Sequence, residues 1–162
     1  MNRYISEFVF GMLRIVPSLA VLFLLIPVIG TGVLPSVIAL TILAIPPILL
    51  NTAQAFLTLP EATIEAGTAM GMSEQMLFFK VKLPLAFPLI FAGIRTAVVE
   101  VIASATIASY IGAGGLGDII VTGLALLRTD LLIIGGGSVA IVSLLSGFLL
   151  DRWYRYMTRY QM

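Results

Sequence analysis

The chain has 162 residues, 60% of them hydrophobic and only 10% charged, with a mean hydropathy of +1.12. Soluble domains carry about 25% charged residues, so a soluble fold this apolar could not cover its own surface, and the class is integral membrane. The net charge of +1 leaves no basic surface for nucleic acid, and the absence of Cys and His excludes disulfides, thiol nucleophiles and the usual zinc sites; neither a metal nor a cofactor is expected.

The N-terminal MNRYISEF is polar and leads into an apolar run too long for a signal-peptide core, so no cleavable signal is expected. From Ile15 to Pro60 no residue is charged. About 20 helical residues cross about 30 Å of hydrocarbon, so this run must hold two spans. The break is expected at Pro27–Pro35 (PVIGTGVLP), between a first span over Phe8–Ile29 and a second over Ser36–Leu57. A third span is expected over Leu85–Ile111. A fourth covers Leu131–Leu150, an uncharged run fenced by Asp130 and Asp151. The reading is an all-α polytopic helical bundle of about four transmembrane helices, a single transmembrane domain over residues 1–162, with no repeat and no soluble domain.

Pro17, Pro46 and Pro47 fall inside spans. Pro17 reads as a packing kink. Pro46-Pro47, with Asn51 and Gln54 near, reads equally as a kink or as a broken helix lining a path, since a membrane bundle can re-satisfy the backbone groups that proline frees.

Glu61–Pro84 (EATIEAGTAMGMSEQMLFFKVKLP) interrupts the apolar pattern with three acids and two lysines. Pro60 suits the entry to a helix, and Glu61 in the first turn complements its dipole. Gly71 reads as a left-handed stop. Ser73 then caps a second short helix with Glu74 in its first turn, and Pro84 is expected to end it. Read on its own, the stretch is an amphipathic surface hairpin between two spans. Met70, Met72 and Met76 read either as packing within it or as an adaptable contact for a partner. Basic residues set the orientation. Arg3, Lys80, Lys82, Arg152, Arg155 and Arg159 collect on one side and Arg128 alone on the other, so both termini and the hairpin are expected in the cytoplasm.

Gly112, Gly114 and Gly117 spell G-x-G-x-x-G, but they follow a membrane span rather than a strand, so they read as a turn where helices approach closely. Arg14, Arg95 and Glu100 lie within spans, where charges are functional candidates by default. Arg14 reads as snorkelling to the interface. Arg95 and Glu100, five apart and about 140° around a helix, do not pair well with each other. The C-terminal DRWYRYMTRYQM has the Trp153, Tyr154 and Tyr156 of a headgroup belt, with arginines that suit an anionic inner leaflet.

The sequence Glu65-Ala66-Gly67, then Gly71, then Val81-x-Leu83-Pro84 resembles the EAA loop of ABC importer permeases: Glu-Ala-Ala, three residues, Gly, nine residues, Ile-x-Leu-Pro. The spacing agrees throughout, with Gly67 in place of the second Ala and Val81 in place of Ile. Ser-Leu-Ala after Pro17, AGIRTA at Ala92–Ala97 and IGAGGLGD at Ile111–Asp118 extend the resemblance over about Val16 to Leu150. It looks most like the glycine betaine, carnitine and choline permeases, although IGAGGLGD is also similar to the glycine cluster of methionine-type importers.

The resemblance implies a non-enzymatic transmembrane subunit of a multi-pass bacterial inner-membrane importer. Its partners would be a cytoplasmic ATP-binding cassette subunit that hydrolyses ATP, a second permease copy or paralogue, an extracytoplasmic substrate-binding protein and the lipid bilayer. It implies that Glu61, Glu65, Ala66, Gly67, Met70, Gly71, Leu83 and Pro84 form the ATPase-docking loop over residues 61–84. Pro46, Pro47, Asn51, Arg95 and Glu100 are the candidates for the translocation path; the family more often has Asn where Glu100 stands, so no family role is carried onto it. Relatives usually carry a further helix before the position of Phe8, so the chain is expected to be N-terminally short. The other readings are a truncated, non-transporting membrane scaffold, a permease for another small solute such as an amino acid, and an ion-coupled carrier. The last would need paired intramembrane acids, and only Glu100 offers one. No clustered aromatic set is apparent in the spans, so a cage for a quaternary amine is expected on the binding protein.

Overall fold

The computed structural model describes residues 18–158, and among them every regular element is helical. In order these are α1 (Ser18–Ile29), α2 (Val33–Leu57), α3 (Glu61–Ala69), α4 (Glu74–Leu77), a π turn (Phe78–Lys82), α5 (Leu83–Ala108), a 3₁₀ turn (Ser109–Ile111), α6 (Leu116–Ala125) and α7 (Thr129–Thr158). Three helical stretches among the described residues are long and apolar enough to cross a membrane: Val33–Leu57, Glu74–Ile111 and Thr129–Tyr156. They correspond to the second, third and fourth expected spans. The first is represented by α1; its earlier part, with Pro17 and Arg14, lies outside the described residues.

The break between the first two spans is shorter than Pro27–Pro35. Only Gly30-Thr31-Gly32 leave the helix, while Pro27 stays within α1 and Pro35 lies in the first turn of α2, where its missing N–H costs nothing. Gly30 and Gly32 take φ of +89° and +118°, which side chains rarely adopt, so two glycines reverse the chain without help from the prolines. The α2 helix passes through Pro46-Pro47 without interruption, so this pair does not break it.

A second difference lies at Pro84. It does not end the hairpin's second helix. The π turn joins α4 directly to α5, and Leu83 N–H donates to the Phe78 carbonyl five residues back. A proline inside an α-helix lacks a donor and crowds the carbonyl four residues before it. Opening the turn just ahead of Pro84 relieves that crowding, and the helix continues into the span.

The chain divides into two compact units. One comprises the described residues up to Pro46 together with those from Ala97 on; the other is Pro47–Thr96. In the first, Ala39, Ala108 and Ile111 form a small core with Leu25, Ile26, Ile107 and Ala113 against it. Gly32 N–H donates to the Ile111 carbonyl at 2.7 Å, tying the α1–α2 break to the end of the third span. Ser109 Oγ donates to the Gly114 carbonyl at 2.9 Å. The glycines of IGAGGLGD form the expected turn: Gly112, Gly114 and Gly115 have positive φ, and Gly117 is buried so close to Ser109 and the Thr106 carbonyl that a Cβ would overlap them.

The α6 helix was not legible as an element in the sequence. It is apolar but only 10 residues long, about half of what a span requires. It packs antiparallel to the start of α7. A Cβ on Gly123 would meet Leu131 and Leu132 at 3.0–3.1 Å, and one on Gly135 would meet Ile120 at 2.6 Å. Small residues let helices approach this closely where no hydrophobic effect drives them together.

Candidate functional site

The second unit contains the polar loop. The α3 helix carries Glu61 in its first turn, with Pro60 as its extended N-cap. It ends in a complete Schellman motif. Met72 N–H donates to the Gly67 carbonyl at 3.2 Å and Gly71 N–H to the Thr68 carbonyl at 2.9 Å, with Gly71 left-handed at φ +78°. Ser73 caps α4: its Oγ accepts from Met76 N–H at 3.3 Å, and Glu74 follows in the first turn. Two local signals, a glycine stop and a serine start one residue apart, thus produce a tight helix–turn–helix.

What holds the hairpin closed was not visible in the spacing. Gly67 is buried, and a Cβ there would lie 2.5 Å from Leu77 Cδ1 and 3.5 Å from Met72 Sδ. Leu77 is itself buried. The departure from the family's usual Ala at Gly67 is therefore matched by a leucine packed into the space. Glu61, Glu65, Ala66, Met70 and Gly71 are exposed, Met70 to 73%, so α3 and its turn present a free surface of two acids, small residues and one flexible apolar side chain. Leu83 and Pro84 lie apart from that surface, half-buried in the first turn of α5.

At the base of the loop, Phe56 in the last turn of α2 stacks on Phe78, the first residue of the π turn, with centroids 5.7 Å apart and planes 12° from parallel. Phe79 meets Phe78 edge to face at 5.2 Å. An aromatic cluster therefore exists at the base of the loop, with two of its three members, Phe78 and Phe79, outside the expected spans in which the sequence shows only scattered rings. Sequence spacing could not reveal it, because its members come from opposite ends of the loop, and the rings spend their faces on one another rather than framing a cation.

The path candidates separate. Pro47 and Asn51 sit together. Asn51 Nδ2 donates to the Pro47 carbonyl at 2.7 Å, and buried Gly93 of α5 lies so close that a Cβ would be 2.7 Å from Asn51 Cβ and 2.9 Å from that carbonyl. This is a close helix crossing within the second unit, and Gly93, inside the AGIRTA stretch, is the residue that permits it. Pro46 is half-buried at the unit boundary. Arg95 and Glu100 are both exposed along α5. Arg128 pairs with Asp130 through Nε–H to Oδ1 at 3.1 Å and a second contact from the guanidinium to Oδ2.

Comparisons with known proteins give the family. The profile of the family described as "Binding-protein-dependent transport system inner membrane component" matches residues 3–160. The chain is similar to the carnitine transport permease protein OpuCB of Listeria monocytogenes, 46% identical over 151 residues, 91% of this chain and 69% of that protein. It is also similar to the glycine betaine/carnitine/choline permease protein OpuCB of Bacillus subtilis (strain 168), at 39% identity over 93% of this chain and 70% of that protein. Among solved structures it is similar to a chain of the MetNI methionine ABC transporter in inward-facing conformations, with a TM-score of 0.79 and 26% identity over 93% of this chain and 73% of that one. A helical membrane chain with this loop, matched along almost its whole length, belongs to the binding-protein-dependent transport system inner membrane component family and is an ABC importer permease.

Proposed function

We propose that the chain forms the translocation path for an osmoprotectant of the quaternary-amine class, of glycine betaine, carnitine or choline type. The observation that carries this reading is its likeness, along most of its length, to two permeases whose names specify those solutes. Two permease copies, or one copy and a paralogue, enclose the path. A cytoplasmic ATP-binding cassette subunit hydrolyses ATP, and an extracytoplasmic binding protein delivers the solute. The chain itself performs no covalent step.

In this reading residues 61–84 are the cytoplasmic coupling loop, and Glu61–Met70 seats in a cleft of the ATPase. The exposed, small-residue surface of α3 supports this, as does its sharp stop at Gly71: a short rigid element can be moved as a body by a partner that changes state on binding ATP. Both termini are on the cytoplasmic side of a bacterial inner membrane. The asymmetry of six basic residues against Arg128 alone supports this orientation. Pro47, Asn51 and Gly93 form a tight crossing that holds the path's helices, while Arg95 and Glu100 are its candidate polar contacts.

The test is uptake of labelled carnitine and glycine betaine into a host lacking its own systems, expressing this chain with the ATPase and binding protein from neighbouring reading frames. Energised uptake of a quaternary amine, insensitive to ionophores, is expected. Uptake of an amino acid instead would overturn the substrate class. No ATP-dependent uptake of any solute would favour the non-transporting scaffold.

A further inference from the structure

We propose that Phe56 is a positioning residue for coupling: stacked on Phe78, it clamps both ends of the loop together, so that movement of α3 reaches α2 and α5 as one displacement. This rests on the reading of residues 61–84 as the coupling loop.

The loop leaves α2 at Leu57 and re-enters a long helix at Phe78. Its two ends could in principle move independently, and a push on α3 would then be absorbed by the loop. Two observations argue otherwise. The first is a continuous line of contacts. Gly67 of α3 packs on buried Leu77; Leu77 is followed directly by Phe78; and Phe78 stacks on Phe56. A tilt of α3 therefore presses on the residue that adjoins the ring pair.

The second is the π turn. Phe78 supplies not only a ring to the stack but also the carbonyl that receives Leu83 N–H five residues on. Pro84, next in the chain, has no N–H to offer. A π turn differs from an α turn by one hydrogen-bond register and occurs frequently at functional sites. One residue thus sits in both the aromatic clamp and the altered register at which α5 begins. If Phe56 holds the ring, the π turn is displaced as a body with the end of α2. Without it, the register at Phe78–Lys82 can adjust and dissipate the movement before it enters the membrane. Phe79, edge-on to Phe78 and 66% exposed, braces the pair from one side only and does not reach α2's ring.

The experiment uses the assembled importer in proteoliposomes, measuring permease level, recovery of the ATPase, ATP hydrolysis and uptake per ATP hydrolysed. An aromatic pair is worth up to about tenfold in an equilibrium, so Phe56→Leu should lower uptake per ATP by up to about tenfold while recovery and hydrolysis stay within about twofold. Phe56→Tyr, which keeps the stack, should restore the ratio. The chain has no cysteine, so Phe56→Cys with Phe78→Cys provides an independent arm. It should be uncoupled when reduced and recoupled by a short thiol cross-linker. Uptake and hydrolysis falling in step, an unchanged ratio in Phe56→Leu, or a cross-linked pair that stays uncoupled would each overturn the proposal. Failure of the wild-type chain to recover the ATPase through its loop would instead overturn the docking reading.

Discussion

Gly67 and Gly71 lie one turn apart and are constrained by opposite things. Around Gly71 a Cβ would meet nothing within 4 Å, but φ is +78°. Around Gly67 the backbone is ordinary helix, and the space is taken by Leu77. Gly71→Val should therefore fail through the backbone, at about 1–2 kcal/mol for a left-handed residue and more for a β-branched one. The expected phenotype is normal permease level, weak recovery of the ATPase in pull-downs and lost uptake; normal transport would show that the turn does not govern docking. Gly71→Asn should be milder, since Asn tolerates this conformation. Family resemblance and helix propensity alone would make Gly67→Ala harmless, a gain of up to about 1 kcal/mol. The packing works against that gain: the added methyl must displace the tip of buried Leu77, the far end of a flexible side chain, so the cost is small and nearly offsets the propensity term. Gly67→Ala should leave thermal stability within about 1 kcal/mol of the parent, and Leu77→Val should cost less in the same chain than it does alone. Additive effects in that double-mutant cycle would contradict the contact.

Two close approaches decide how the helices behave as elements. At Gly93 an added Cβ meets Asn51 Cβ and a backbone carbonyl, neither of which can rotate away. Gly93→Ala should thus be more damaging than Gly67→Ala, at the upper end of the overpacking range of about 1–3 kcal/mol, read as a fall in melting temperature in detergent. Asn51→Ala should not rescue it, because the Cβ and the Pro47 carbonyl both remain. The α6–α7 turn offers the opposite opportunity. Leu126 caps α6, and Leu127 occupies the next position at φ +51°, where a glycine would be expected, in a Schellman pattern closed by Arg128 N–H to the Gly123 carbonyl at 2.9 Å. Its side chain is 91% exposed. Leu127→Gly should stabilise the turn by about 1 kcal/mol, raising the melting temperature. An unchanged or lower value would mean that the leucine is stabilised by something it touches in the bilayer or on a partner.

For the whole molecule both termini and the loop are expected on the same side of the membrane. Cysteines at Thr31, Ser73, Thr122 and Thr158 would report it against a background free of native thiols. Labelling from outside should reach positions 31 and 122 only; external labelling of position 73 would remove the loop from the ATPase's side of the membrane. The α7 helix bears on the same point. At 30 residues it is about 45 Å long, against about 30 Å of hydrocarbon, so its last turns with Arg152, Trp153 and Arg155 emerge at an interface. The purified permease alone should show no micromolar site for glycine betaine, because the rings that pair, Phe56 with Phe78, Phe78 with Phe79 and Phe87 with Phe91, turn toward each other rather than framing a cation. Tight binding measured by calorimetry would contradict this.

Class, spans and the loop's turn were determined by the sequence alone, because each depends on a local or compositional quantity. Lipid requires long uncharged helical runs, and Val33–Leu57 and Leu131–Leu150, the middle of the Thr129–Tyr156 helix, advertise themselves by the absence of charge. Gly71 and Ser73 act on backbone groups within a few residues of themselves, so their roles were legible from spacing. Pro84 was misjudged by the same local logic. Its rule assumes an α-helix, whereas tertiary packing around Phe78 admits a π turn that carries the chain past it. Gly67 with Leu77, Gly93 with Asn51, Phe56 with Phe78, and α6 with α7 were decided only by the tertiary structure. Each is a close approach between surfaces that no spacing rule brings together, and its energy lies in the fit of one side chain to a space made by another part of the chain.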